Sequence, residues 1–420
     1  MSSSKKDAVR PSPSGGTPVE GYNCRIVTLL PSISPLPVPD SQPVPPDVRL
    51  STHPPMPAPL PGPVTVPMSW ILRTASPAVQ FRATKAFWPK ATADPGWAAV
   101  PYASRQGWHL LLMQDADGQW PGGMLTVPTG LALEGIGTIP AYRRLLELGW
   151  DAESPALSST KRLLFRLLAE DDDPSFLAEM MPKEWDEDLI KRGRLLLREG
   201  AAAALAQAGY ESDPRLRGAA RRLVERVMPF LKSPLAQKPW VRLGNQHVLP
   251  AEVTAPSFHL LVMLAYMPLF RSEHYEFMDR LFTYLTQPWP RQQPVQQVGP
   301  HLLEQPHLVL GDLLPTRNAM DADMASSLGW LEIMARLGYL KKHDGWCKLL
   351  DRLLDDRDRK HVWTPPRSVV MPEQVPAWSW PLLPLSDPTF GEPVDLGFSA
   401  DVTFRLALIA QLCGREIELV

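Results

Sequence analysis

The sequence predicts an all-α fold, an (α/α) toroid or partial toroid of about five to six helical hairpins behind a proline-rich N-terminal tail. Three observations predict it. Apolar residues from Met68 onward recur at three- and four-residue spacing, which puts them on one face of a helix. No stretch alternates apolar and polar residues as a half-buried strand or hairpin would. The helices also come in pairs that share one joint, a glycine followed by an aromatic residue.

In chain order the tail comes first. Seventeen of the 48 prolines lie in residues 1–67, in runs such as SPLPVPDSQPVPP and HPPMPAPLPGP. Such a segment cannot bury enough apolar surface to offset its ordering entropy, so 1–67 is expected to be disordered or loosely polyproline-like. An inert extension, or a start placed upstream of Met68, outweighs a PxxP docking tail, because proline-rich tracts are compositional signals only. The toroid domain is expected over 68–420. Helical spacing marks Ala141–Leu148, Lys161–Leu168, Leu189–Ala208, Leu216–Leu231, His259–Leu269, Met278–Leu285, Met324–Leu337, Trp346–Leu354 and Val402–Leu412. Ser76-Pro77, Ser154-Pro155 and Asp213-Pro214 each put a capping residue before a proline suited to the first turn. The final helix, within SADVTFRLALIAQLCG, is expected to pair with the first, near AVQFRATKAF.

The joints read LGWDAESPALSSTKRLLFRLL (148–168), AGYESDPRLRGAARRLVERVMPFL (208–231) and LGYLKKHDGWCKLLDRLL (337–354). Gly149, Gly209 and Gly338 fit the left-handed position that closes a helix, with Trp150, Tyr210 and Tyr339 folding back over its last turn. LAYMPLFRSEHYEFMDRLFTYL (264–285) is a looser copy. The period is about 60 residues, with one position doubled, longer than solenoid repeats of roughly 34 to 47. Hairpins of that length suggest a closed ring with inner helices around a central cavity.

Apolar content of 44% and charged content of 21% are those of an ordinary soluble globular chain. A net charge of −2 gives no argument for nucleic acid or an anionic membrane surface as partner. Cys24, Cys347 and Cys413 are far apart, which speaks against a disulfide framework and for a reducing compartment. SFHLLVMLAYMPLF is too short to span a bilayer and is interrupted by Pro268, so no transmembrane segment is expected. The N-terminus lacks the apolar core of a secretory signal, and a cytoplasmic location is expected. Oligomeric state is not legible.

The most motif-like stretch is LLLMQDADGQWPGG at 110–123. Gln114, Gly118 and Trp120 in it resemble the QW repeat of the terpenoid cyclase and protein prenyltransferase α/α-toroid superfamily. LLDDRDRKHVW is a degenerate second copy, with Arg357-Asp358 near the Gln position, His361 in place of the glycine, and Trp363 kept. The resemblance covers about residues 69–420. It implies a structural role for Gln114, Gly118, Trp120 and Trp363: the Gln side chain caps a neighbouring helix and the Trp ring stacks beside it. It also implies a comparison with the acidic DxDD segment of class II cyclases, whose middle aspartate protonates an alkene. Asp321-Ala322-Asp323-Met324 sets Asp323 at the acid position and Asp321 at its partner, but Met324 replaces the last aspartate. Losing one of three carboxylates weakens such a donor, and acidic residues at a helix start are also ordinary caps.

Other chemistry finds less support. Asp344, Cys347 and His361 supply the residue types of a prenyltransferase zinc, but at the wrong spacing, so no metal is expected. Glu170-Asp171-Asp172-Asp173 lacks the DDxxD spacing that clamps magnesium to a diphosphate. Nucleotide and α/β-hydrolase motifs are absent, and no cofactor is implied. Most of the fourteen tryptophans are expected in core and hairpin packing, while Trp378 and Trp380 could cover a mouth of the ring. The leading expectation is a terpenoid-cyclase-like toroid without a complete catalytic motif, binding an apolar, isoprenoid-like small molecule in its central cavity. The alternatives are an active class II terpene cyclase or isomerase using Asp323, and an (α/α)-barrel protein acting on sugars, for which paired carboxylates about 5 to 9.5 Å apart are required.

Overall fold

The computed structural model of the protein describes residues 62–127, 133, 135–169, 187–243, 246–288, 294–299, 301–314, 324–364 and 394–420. These residues are mostly helical. In order they form β1 (Val64–Val66), α1 (Met68–Thr74), α2 (Pro77–Phe87), α3 (Pro95–Ala99), α4 (Arg105–Leu112), α5 (Thr138–Glu147), α6 (Pro155–Leu168), α7 (Glu187–Gln207) and α8 (Pro214–Lys232). Then come β2 (Val241–Leu243), β3 (Gln246–Leu249), α9 (Phe258–Ala265), α10 (Pro268–Glu273) and α11 (Tyr275–Leu285). The last are β4 (Val295–Val298), β5 (His301–Glu304), α12 (Met324–Arg336), α13 (Asp344–Asp355), α14 (Val394–Leu412) and β6 (Ile417–Leu419). The tail expected over 1–67 falls almost wholly outside the described residues. The described fold nevertheless begins ahead of Met68, because β1 is part of it and Val66 is fully buried.

The helices begin and end on local hydrogen-bond chemistry. Ser76 Oγ accepts from Val79 N at 3.5 Å, and Asp213 Oδ1 from Arg215 N at 2.9 Å, each ahead of a first-turn proline. At the other end, Gly149, Gly209 and Gly338 have φ of +90°, +90° and +75°. The amides that follow donate five residues back: Trp150 N to Leu145 O, Tyr210 N to Leu205 O and Tyr339 N to Met334 O, at 3.0, 3.2 and 2.8 Å. The glycine amides take Leu146, Ala206 and Ala335 carbonyls, so two orphan acceptors of each last turn are satisfied. Gly414 closes α14 in the same way, with Arg415 N on Ala410 O at 3.1 Å; an arginine follows this glycine, so the aromatic rule passed over it. The looser copy at 264–285 is built differently. No glycine ends α9; Arg271 Nη1 reaches round to the carbonyls of Leu264 and Ala265 at 2.6 and 3.0 Å.

The expectation of no strand is corrected. β1 pairs in parallel with β6, Val64 opposite Ile417, and β2-β3-β4-β5 form a four-stranded sheet. Each strand is three or four residues long, too short for a period of two to register against helical background.

The helices share one hydrophobic core. Within it α5 packs on α7, α7 on α9, α9 on α12, α12 on α14, and α14 on α2. The last contact sets the Phe404 and Phe87 rings 6.0 Å apart, with Gln411 Nε2 donating to Ala86 O at 2.9 Å. Helices α6 and α8 back α7, α11 backs α8, and α13 and α1 back α14.

The connections around these helices are unequal. Residues 113–137, 169–186, 233–257, 286–323 and 356–393 lead into α5, α7, α9, α12 and α14. The short joints 148–154, 208–213 and 337–343 lead out of α5, α7 and α12. Long connections concentrate binding and catalysis, because they are free of the packing that holds a scaffold.

Candidate functional site

The QW-like segment is a joint between three helices. Gln114 Nε2 donates to Thr160 Oγ1 at 2.9 Å and to Ala156 O at 3.2 Å, both in α6. Gly118 sits at φ +87°, and a Cβ there would stand 2.7 Å from both Ser159 Cβ and Thr160 N. Trp120 is buried; its Nε1 donates to Leu110 O in α4 at 2.7 Å and its amide to Thr138 Oγ1 in α5 at 3.1 Å.

The segment ending at Trp363 repeats the backbone bonds of this turn. Asp358 N donates to Val362 O at 2.9 Å as Asp115 N does to Gln119 O at 2.8 Å. His361 N and Gly118 N each reach the aspartate carbonyl at 2.9 Å, and His361 holds φ +61° where Gly118 holds +87°. Trp363 N donates to Thr403 Oγ1 at 3.0 Å, the counterpart of the Thr138 bond. The Gln position differs: Arg357 spans instead to Leu354 O and Thr65 O, at 2.8 Å each.

Two clefts are separate from these joints. The first, about 610 Å³, lies on the side of the long connections, between the first half of α7, Arg226 of α8, the segment before α9, and β4–β5. Leu189, Leu195, Leu196, Val253, Val298 and Leu303 give it apolar walls. Its polar groups converge on Glu199. That carboxylate is paired with Arg226 and accepts from Ser257 Oγ, which also caps α9 by accepting from Leu260 N at 3.1 Å. Arg192 Nη1 donates to Gln296 Oε1 at 2.7 Å. Burial, with Arg226 and Arg192 nearby, pushes the His307 imidazole down to about 3, so it is neutral near pH 7. Arg226 Nε is buried with no partner among the described residues.

The second cleft, about 700 Å³, lies at the ends of the helices that the short joints leave. Six core helices contribute to it, with Arg82 from α2, Glu147 from α5, Gln207 from α7, Tyr266 at the end of α9, Arg336 from α12 and Phe404 from α14, and α3 adds Ala98. Behind these lies a buried charge network. Arg144 holds Gln106 Oε1 at 2.9 Å and Glu147 Oε2 at 3.3 Å. Arg336 holds Glu332 Oε1 at 2.8 Å; Arg405 holds Asp401 at 3.0 Å and Glu332 at 3.5 Å. Burial alone would raise the Glu332 carboxyl, but Arg336, Arg405 and Arg82 outweigh it and hold it at about 2. At Glu147 burial wins over the same kind of neighbours, and its carboxyl lies above the ordinary range.

The second cleft mixes Arg82, Lys85, Glu147, Asp151 and Arg336 with aromatic and aliphatic side chains, whereas the first has mainly apolar walls. Asp321 and Asp323 lie outside the described residues, as do Glu170, Asp171, Asp172, Asp173, Trp378 and Trp380. Cys347 Sγ donates to Leu340 O at 3.2 Å, and among the described residues no three His, Cys, Asp or Glu side chains gather as metal ligands.

Sequence reasoning passed over the charge network entirely. A signal existed: Arg143-Arg144 in TIPAYRRLLE, Glu332 in LGWLEIMAR and Asp401/Arg405 in SADVTFRLALIAQL are charges set among apolar helical residues, and buried charges demand partners.

No family model matches the chain, and neither a curated protein nor a solved structure matches it.

Proposed function

We propose that this protein is a divergent α/α toroid that binds an apolar, isoprenoid-like small molecule in the cleft beside α7, with the polar end of the ligand toward Arg192 and Arg226. The toroid reading is supported by the packing order α5, α7, α9, α12, α14, α2, by one cleft drawing a residue from each of those six helices, and by the two matching Trp turns. The observation that carries the ligand reading is the cleft itself. Leucine and valine walls with a few converging polar groups at one end suit a molecule that is mostly apolar with a polar head.

The test is a binding titration of the whole chain with polyprenols of C15 to C30, followed by tryptophan fluorescence. Saturable binding is expected, and Leu196→Arg, which fills the cleft, should lower affinity at least tenfold. Absence of saturation across the chain-length series, or equal affinity in the variant, refutes the reading.

A second reading, catalysis by Asp323, is favoured by its place in the chain at the end of the long connection into α12, since long connections concentrate catalysis. Incubation with C15–C30 polyprenyl substrates and comparison with Asp323→Asn tests it. Identical product profiles would sink it.

A further inference from the structure

We propose that the cleft at the converging helix ends is a binding site for a small dianion, a phosphate or dicarboxylate group held between Arg82 and Arg336. This goes beyond the apolar site beside α7 and does not rest on it.

The argument is one of charge balance in a buried place. Five arginines interact within one network: Arg82, Arg143, Arg144, Arg336 and Arg405. Among the described residues three carboxylates answer them in the network, Glu147, Glu332 and Asp401, while Lys85 and Asp151 on the cleft wall offset each other. Arg144 and Arg405 are ion-paired within the network, Arg144 with Glu147 and Arg405 with Asp401 and Glu332, and Arg144 also holds Gln106. Arg143 donates to Gln207 Oε1 at 2.8 Å. Arg82 is different. It lines the cleft, stacks over Phe404 at 5.1 Å, and buries Nη1 with no hydrogen-bond partner among the described residues. A buried guanidinium nitrogen without an acceptor is costly unless something else supplies one. Arg336 faces the same cleft, and Lys85 stands exposed at its mouth.

The helix ends themselves compete for this role, since C-terminal dipoles attract cations. Two carbonyls at each of these ends already have donors. Glycine-turn amides cover α5, α7, α12 and α14, and Arg271 covers α9. None of the last-turn carbonyls of these helices receives Arg82. An anion of two charges would balance the surplus of two cations and present oxygens to both guanidinium groups, which are shaped to hold phosphate and carboxylate in bidentate fashion.

Isothermal titration calorimetry of the whole chain with inorganic phosphate, and separately with succinate, tests the site at constant ionic strength set by NaCl. Saturable binding is expected for at least one of the two, and the tighter one tells phosphate from dicarboxylate. Arg82→Gln should weaken it at least tenfold. Glu147→Gln removes a competing carboxylate and should tighten it several-fold, a gain that misfolding cannot mimic. No saturable heat with either anion overturns the proposal. So does an unchanged affinity in a folded Arg82→Gln, or a weakened one in a folded Glu147→Gln.

Discussion

At Gly118 two constraints coincide. The backbone is in the left-handed region, and α6 passes so close that a Cβ would overlap Ser159 and Thr160. Gly118→Ala is therefore expected to cost about 2–3 kcal/mol, from strain plus forced movement of α6. Asp117→Ala at the exposed tip should cost less than about 1 kcal/mol. Equal losses in chemical denaturation would contradict this account of the turn. His259 on α9 makes a second prediction at this scale. Burial, then Arg143 and His307, pushes it down to about 3. The unfolded chain takes a proton near pH 6.5 that the folded chain refuses until about 3. The neutral imidazole therefore contributes stability above pH 6.5 that is lost as pH falls, by about 1.4 kcal/mol per unit. The difference in stability between the parent and His259→Phe should carry that slope between pH 6.5 and 4.5; a flat difference means the histidine titrates alike in both states.

At the scale of elements, the glycine joints are equivalent in backbone and unequal in surroundings. Gly149 and Gly209 both have φ of +90°, yet a Cβ on Gly149 would lie 2.7 Å from Phe81 Cδ1 while one on Gly209 meets nothing within 4 Å. Gly209→Ala should cost about 1 kcal/mol, the conformational term alone, and Gly149→Ala clearly more. Thermal melts of the two variants rank them. Gln114 tests the other kind of joint. Its amide bridges α4 to α6, so Gln114→Ala should cost about 1–2 kcal/mol and leave Thr160 Oγ1 with only its bond to Gly118 O, at 2.6 Å. The glycine joints were legible in the sequence because closing a helix is a local problem of unpaired carbonyls. The Gln114 bond needed a resemblance to be noticed, since Thr160 is 46 residues away.

At the scale of the molecule, the two ends of the described chain hold each other. Val64–Val66 pair with Ile417–Leu419, Val420 N donates to Val66 O at 3.0 Å, and Arg357 reaches Thr65 O. A chain starting at residue 68 should lose about 2 kcal/mol or more relative to one starting at residue 62, because Val64 and Val66 are both buried. Equal melting of the two would show that β1 adds nothing.

The division between sequence and tertiary structure follows from range. Periodicity, capping residues and glycine stops report on hydrogen bonds within a few residues, so most of the longer helices and many of their ends could be read from the chain alone; Ser154, expected to cap α6, makes no cap hydrogen bond, and the helix expected over His259–Leu269 stops at Ala265 and restarts at Pro268. Periodicity says which face of a helix is buried but not what buries it. That Arg82, Glu147, Gln207, Tyr266, Arg336 and Phe404 share one cleft follows from the packing of six helices spread over more than three hundred residues. The charges in that network look like ordinary surface residues until their partners arrive from other helices, and the strands were invisible because each is stabilised by a partner rather than by its own pattern. Helical identity was a local property of this sequence. The position and charge of its clefts were decided only when distant elements met and had to satisfy one another.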